Sequence, residues 1–179
     1  MRRIVSPPWG GFLLLYAVSF AALAPGAAAG LKVLGIALIV PLVWLSCRDL
    51  ETREIPDAAS LAVAVAGAGF LAWQEPQALL PHLMAGAVIC ALLWGAGEVI
   101  YRLRGAEGLG IGDAKLLGAG IVVLGPWKLP ELLLLSSAGG IAATLLARVR
   151  GGEPQEGIPF GPFIAYAVFV LIYFNPLFL

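Results

Sequence analysis

Long apolar stretches follow one another along almost the whole chain, and they restrict its fold more than any other feature. A helix needs about 17–25 mainly apolar residues to cross a lipid bilayer. About seven such segments, some of them short, are separated by polar, glycine-containing or proline-containing breaks, near residues 11–29, 31–47, 57–74, 78–101, 113–127, 130–148 and 159–178. The pattern predicts an all-α fold, a polytopic transmembrane helix bundle forming a single domain over residues 1–179.

Composition agrees with a membrane protein and excludes several other classes. Charged residues make up 12% of the chain and hydrophobic residues 60%, whereas about a quarter of the residues in a soluble domain are charged. Eleven basic residues balance eleven acidic ones, which indicates no nucleic-acid partner. Cys47, Cys90 and His82 match no CxxC pair or metal-ligand spacing. We therefore expect no disulfide, no metal and no cofactor.

The positions of the basic residues predict the orientation of the bundle. With a cytosolic N-terminus and seven crossings, only Lys32 and Lys128 face away from the cytosol. The cytosolic side then receives all the others: Arg2, Arg3, Arg48, Arg53, Arg102, Arg104, Lys115, Arg148 and Arg150. This asymmetry follows the positive-inside rule.

Residues 1–29 have a second interpretation. Arg2 and Arg3 precede an apolar stretch that ends in the small residues 27–29, an arrangement that resembles a secretory signal with its cleavage site. Cleavage would leave six spans and would not change the sidedness of the rest.

Two acidic segments lie at the ends of predicted spans. Asp49 follows the second span, and Asp113 opens the fifth after the glycine-rich residues 108–112. Two complete spans separate them, so both carboxylates are predicted on the cytosolic side. Ionisable groups at a membrane are costly and indicate function. Two carboxylates that meet in a poorly solvated cleft share a proton, as an aspartic peptidase requires to activate water.

The glycines before Asp113 have a matching interpretation. Gly108, Gly110 and Gly112 lack a Cβ, so their backbone can adopt unusual conformations and approach another backbone closely. An extended peptide passing Asp113 would need such an approach.

The acidic residues also have purely structural interpretations. Asp113 and Asp57 stand at predicted helix starts, where a carboxylate caps the helix. Asp49 can pair with Arg48 or Arg53 at the membrane interface, a contact of little energetic value in water.

The remaining ionisable groups are expected to be structural. Glu98 lies inside the fourth span and needs a partner, for which Arg102, one turn later, is the candidate. Glu51, Glu54 and Glu107 are predicted to be solvated, with Glu107 near enough to Asp113 to influence it. His82 is predicted on the opposite face of the membrane.

Three motifs in order resemble those of the prepilin peptidases, or type IV leader peptidases, of the GxGD membrane aspartyl protease class. They are residues 48–57 (RDLETREIPD), 110–116 (GIGDAKL) and 158–163 (IPFGPF). The resemblance implies that Asp49 and Asp113 are catalytic and that Gly110 and Gly112 lie next to the substrate. Lys115 matches a basic residue of the family motif and would place either its helix or the leader. Asp57 occupies a position where relatives carry Asn, which argues against an acid–base role.

The resemblance further implies an endopeptidase of the cytoplasmic (inner) membrane that removes short basic leaders from prepilins or pseudopilins at the cytosolic face, in contact with the lipid bilayer. Larger relatives carry an added cytosolic region with two CxxC pairs, associated with N-methylation of the product. These residues contain no counterpart of that region, so we expect a peptidase without N-methyltransferase activity.

Two other functions remain open from the residues alone. A small proton- or cation-coupled transporter would place a carboxylate near the bilayer midplane, and only Glu98 comes near it. A noncatalytic assembly factor of a pilus or secretion machine would tolerate replacement of either aspartate.

Overall fold

The computed structural model describes residues 8–105, 110–149 and 158–174, and these ranges contain helices and short loops without a β-strand. The α-helices are α1 (Trp9–Leu23), α2 (Ala29–Thr52), α3 (Asp57–Gln74), α4 (Pro76–Arg104), α5 (Ile111–Leu124), α6 (Leu129–Val149) and α7 (Gly161–Leu171). Short 3₁₀ turns, Pro126–Lys128 and Ile172–Phe174, precede α6 and follow α7. Each predicted apolar segment contains one helix, so the prediction of an all-α polytopic bundle is confirmed. The end of the seventh segment, residues 175–179, lies outside the described residues.

The helices differ in their ability to cross a bilayer alone. Four are long and apolar enough: Ala29–Thr52, Asp57–Gln74, Pro76–Leu103 and Pro126–Val149, the last including its 3₁₀ turn. α5 has 14 residues and rises about 21 Å, less than the roughly 30 Å of the hydrocarbon core. A helix this short leaves at least one of its ends within the membrane thickness, and Asp113 lies at one of them.

α5 is the central helix of the bundle and packs against α3, α4 and α7. Its residues from Leu116 to Leu124 are all buried. α4 and α5 touch backbone to backbone, because a Cβ added at Gly118 would lie 2.8 Å from the carbonyl oxygen of Gly86. Small residues permit this close approach between membrane helices. The contact fixes α4 against the helix that carries Asp113.

α1 packs as part of the same bundle. The ring of Tyr16 is completely buried and meets Phe169 edge to face, with ring centroids 4.9 Å apart. The hydroxyls of Ser19 and Tyr166 are hydrogen-bonded at 2.9 Å. Removal of residues 1–29 would delete these contacts. Arg2 and Arg3 lie outside the described residues.

The ends of several helices meet at one end of the bundle. There the last turn of α2 contacts the start of α7, and the start of α5 faces the C-terminal half of α4 across a cavity. We call this region the acidic end, because Asp49, Glu54, Asp57, Glu98 and Asp113 all line that cavity.

Candidate active site

Asp49 lies in the last turn of α2, and its carboxylate points at the start of α7. The helix ends at Arg53, whose backbone is left-handed, with φ 58°, and whose N–H donates to the Asp49 carbonyl at 2.9 Å. Asp49 is only 5% exposed, and its Oδ2 accepts a hydrogen bond from the Gly161 N–H at 2.8 Å. The first N–H groups of a helix have no partner within the helix. This one hydrogen bond therefore provides a partner both for the Gly161 N–H and for a buried carboxylate oxygen.

Arg48 and Arg53 were the predicted ion-pair partners of Asp49, and the structure gives each of them a different relation to it. Arg48 lies 3.6 Å from Glu51 on the exposed side of the same helix. Arg53 acts on Asp49 through its charge, while the hydrogen bond to the carboxylate comes from Gly161. Asp49 is thus held by a backbone group of another helix.

Asp113 is the third residue of α5, and the helix is capped at Gly110. The interpretation of Asp113 as the N-cap residue is therefore wrong, because the helix begins two residues before it. The Asp113 carboxylate accepts a hydrogen bond from the Gly110 backbone, as the third residue does in a capping box. A Cβ at Gly110 would lie 3.2 Å from Asp113 Oδ2, so a small residue here keeps the carboxylate close to the chain.

Asp49 and Asp113 line one cavity of about 580 Å³. Asp113 is partly exposed to it, and the charge of Asp49 acts on Asp113. Two like charges so placed are costly together, which favours a pair that holds one proton. The structure thus places the two predicted carboxylates at the same cavity.

Ile55 lies between the start of α5 and the start of α7, next to the two aspartates. It lies in the loop between α2 and α3, and its Cβ is 3.0 Å from the position that a Cβ at Gly112 would occupy. Its Cδ1 lies 3.0 Å from the corresponding position at Gly161. Both contacts are tighter than ordinary side-chain packing. The two glycines therefore let α5 and α7 approach Ile55 from either side.

Asp57 and Lys115 form an ion pair at the rim of the cavity. Lys115 Nζ lies 2.7 Å from Asp57 Oδ1 and 2.9 Å from Oδ2. Pro56 is the N-cap residue of α3, and Asp57 is the first residue of the helix. The interpretation of Asp57 as a capping residue is therefore wrong, because its carboxylate is directed at Lys115 instead. Lys115 joins the start of α5 to the start of α3.

One wall of the cavity was not predicted from the sequence. Trp94, Gly97, Glu98 and Tyr101 of α4 line it, and Arg102 Nε donates to Glu98 Oε1 at 2.7 Å, the partner predicted for that carboxylate. The signal was present as the spacing i, i+3, i+4, i+7, which places four residues on one helix face. Glu98 by itself does not reveal this face, whereas the four positions together do.

The other candidate groups lie elsewhere. His82 is buried near the start of α4, where Nδ1 is 3.1 Å from the Val122 carbonyl oxygen, and it does not line the cavity. Glu54 lines the cavity, whereas Glu107 and Gly108 fall outside the described residues. Within residues 8–105, 110–149 and 158–174, no group of three or more His, Cys, Asp or Glu side chains is arranged to hold a metal ion.

Comparison with known proteins places this geometry in context. The model of the type IV leader peptidase family matches residues 36–145, a range that includes Asp49 and Asp113. A prepilin leader peptidase/N-methyltransferase of Burkholderia pseudomallei (strain 1026b) is 32% identical over 174 residues, covering 94% of this chain and 56% of that protein.

Two further relatives bear the same name. The protein of Pseudomonas putida is 35% identical over 148 residues, which cover 75% of this chain and 49% of the relative. The protein of Dickeya chrysanthemi is 36% identical over 141 residues, which cover 76% of this chain and 49% of the relative. The chain thus spans about half the length of these relatives. No solved structure matches it.

Proposed function

This chain belongs to the type IV leader peptidase family, and we propose that it is a multi-pass membrane aspartic endopeptidase. Its substrates are type IV prepilins or pilin-like precursors, from which it removes the basic leader peptide. The observation that carries this proposal is the placement of Asp49 and Asp113 around one cavity at the acidic end. The names of the relatives support the choice of substrate.

The chemistry follows from a carboxylate pair that shares one proton. The ionised carboxylate takes a proton from a water molecule as that water attacks the scissile carbonyl carbon. The protonated partner donates its proton to the developing oxyanion, which gives a gem-diol. As the C–N bond breaks, the carboxyl that took the proton from water donates it to the departing amine, and the partner regains a proton from a gem-diol hydroxyl. The Gly161 N–H orients Asp49, and the Gly110 backbone orients Asp113.

Gly110 and Gly112 lie where an extended substrate would pass. Gly110 has extended backbone angles, φ −63° and ψ 143°, and both glycines line the cavity beside Asp113. We assign them to substrate binding through the backbone. The ion pair between Lys115 and Asp57 supports the helix-placing role for Lys115 rather than direct contact with the leader.

The charges around the cavity suit a basic leader and a cytosolic active site. Glu54 and Glu98 line the cavity in addition to the aspartates, and complementary charge steers a basic peptide towards such a surface. Arg48 and Arg53 lie at this end of α2, and basic residues favour the cytosolic side. We therefore place the acidic end at the cytosolic face of the cytoplasmic (inner) membrane.

The transporter and assembly-factor alternatives fit the site less well. Glu98, the one candidate for a midplane carboxylate, lines the same cavity as Asp49 and Asp113, close to the C-terminal end of α4. An assembly factor would not need two carboxylates held by the backbone of two different helix starts.

The proposal is tested by cleavage of a prepilin in membranes that contain this chain. Wild type is compared with Asp49→Asn and Asp113→Asn at equal expression. Each variant should lose at least about a hundredfold in rate, the usual contribution of an acid–base group. Glu131→Gln, a carboxylate-to-amide change at the first turn of α6 on the opposite end, serves as the matched control. Wild-type cleavage by either aspartate variant would refute the dyad.

The methylation prediction has a separate readout. The 179 residues contain two cysteines, Cys47 on α2 and Cys90 on α4, which do not form a CxxC pair. We propose that this segment cleaves without methylating the new N-terminus. The intact mass of pilin processed with this chain alone should equal that of the unmodified product, and an added 14 Da (a methyl group for a hydrogen) would contradict the proposal.

A further inference from the structure

The cavity face of α4 is chemically distinct from its lipid face. Trp94, Gly97, Glu98 and Tyr101 recur at helical spacing and line the cavity. Leu92, Val99 and Leu103, all exposed, fall on the opposite side of the helix by the same 3.6-residue period. Aromatic residues that only anchor a protein at the membrane interface would face lipid. Trp94 and Tyr101 instead line the cavity that contains the aspartate pair.

The arrangement of this face suits a cationic side chain. Trp94 and Tyr101 are seven residues apart, about 10 Å along the axis, and they are 53% and 52% exposed. Gly97, in the turn between them, has no side chain and leaves a gap between the two rings. Glu98 supplies a carboxylate beside this gap. Aromatic faces and a carboxylate together attract an ammonium or guanidinium group.

The Glu98 carboxylate is already paired with a cationic side chain of the protein. Arg102 donates to Glu98 Oε1 within the same helix, and both side chains are substantially exposed. Exposed ion pairs of this kind are weak. A substrate cation that enters the cavity can therefore take the place of Arg102, and the displaced guanidinium returns to water.

Resting on the proposed peptidase function, the geometry points to Trp94, Glu98 and Tyr101 as the subsite that binds a Lys or Arg side chain of the leader close to the scissile bond. Glu98 supplies the charge and the two rings supply the walls. The α4 face then sets the preference for basic leaders, while the aspartate pair performs the cleavage.

The test is a double-mutant cycle between enzyme and substrate. Two prepilins are compared, one with its basic leader and one with the leader Lys and Arg residues replaced by Gln. Glu98→Gln should raise KM for the basic leader about tenfold, because a charged hydrogen bond is lost, and should leave kcat unchanged. It should leave the neutral leader unaffected. Trp94→Leu and Tyr101→Leu should give the same selective loss, and Arg102→Gln should lower KM for the basic leader.

A charge-reversal variant distinguishes a change in substrate preference from a general loss of activity. Glu98→Lys should prefer a prepilin whose leader Lys and Arg residues are replaced by Glu. An equal loss on all leaders by Glu98→Gln, or no loss on any, would overturn the subsite. Failure of the peptidase function is distinguishable, because in that case wild type and Asp113→Asn would behave alike on every leader.

Discussion

Three aspartates line the same cavity, and their surroundings differ. Asp49 is buried against the Gly161 N–H, and Asp113 is held by the Gly110 backbone. The Asp57 side chain is 73% exposed, and Lys115 binds both of its oxygens. Of the three, only Asp49 and Asp113 are positioned by backbone groups, and both are less exposed than Asp57, as the proposed acid–base pair requires.

Asp57→Asn should therefore retain cleavage within about fivefold of wild type, because an exposed ion pair contributes about 0–1 kcal/mol. Asp113→Asn, the same chemical change in the same cavity, should lose at least about a hundredfold. The rates are compared in one prepilin cleavage assay. A loss at Asp57 as large as that at Asp113 would place Asp57 in the mechanism.

Gly161 is the residue on which the position of Asp49 depends most directly. A Cβ added there would lie 2.8 Å from Asp49 Oδ2 and 3.0 Å from Ile55 Cδ1. Gly161→Ala keeps the N–H donor but must displace the carboxylate. We expect at least a tenfold fall in kcat, since small misplacements at a reacting centre are costly.

Gly69→Ala is the matched control for this change. Gly69 lies on α3, and an added Cβ would meet nothing within 4 Å. This variant should cleave at the wild-type rate. A wild-type kcat for Gly161→Ala would show that the hydrogen bond between Gly161 and Asp49 does not position the catalytic pair.

At the scale of the helices, the geometry of the candidate active site depends on how closely α4 approaches α5. Gly86 and Gly118 bring the two backbones into contact, and α4 then presents Trp94 and Tyr101 to the cavity. The same helix pair thus contributes one proposed catalytic residue, Asp113, and one wall of the cavity. A change in the separation of these helices should affect both stability and cleavage.

Gly118→Ala tests this contact. The added Cβ would lie 2.7 Å from Cys90 Cβ and 2.8 Å from the Gly86 carbonyl oxygen, and such overpacking costs about 1–3 kcal/mol. We expect a lower thermal unfolding midpoint in detergent, although alanine is the better helix former. Gly95→Ala on α4 meets nothing within 4 Å and should keep or raise the midpoint. An unchanged midpoint for Gly118→Ala would contradict the close contact.

At the scale of the whole molecule, alternate loops lie at opposite ends of the bundle. The loop between α2 and α3 belongs to the acidic end together with the start of α5. The 3₁₀ turn between α5 and α6, with Trp127 91% exposed, lies at the other end of α5. The proposed orientation assigns the first end to the cytosol and the second to the opposite side.

Cysteine labelling from each side of the membrane checks this orientation. In a background with Cys47→Ala and Cys90→Ala, Glu51→Cys should react with an impermeant reagent only in inside-out vesicles. Trp127→Cys should react with the same reagent only in intact cells. Labelling of both positions from one side would refute the crossing pattern, and exchange of the two sides would refute the orientation.

The residues alone were enough to predict the class of the fold and the family of the chain. Apolar segments of membrane-spanning length specify helices, because backbone polar groups in lipid must be paired within the chain. The even number of spans between Asp49 and Asp113 predicted that both lie at one end. The family resemblance carried by residues 48–57 and 110–116 is confirmed by the family match, while the roles of individual site residues stay predictions.

The assembly of the candidate site depends on contacts that the sequence does not reveal. The contact of Asp49 with Gly161, the position of Ile55 between two glycines and the pairing of Lys115 with Asp57 all join segments far apart in sequence. Counting spans gives the end of the bundle at which a residue lies, but it does not give the rotation or separation of neighbouring helices. Those quantities depend on side-chain packing between helices, and they determine which face of α4 lines the cavity.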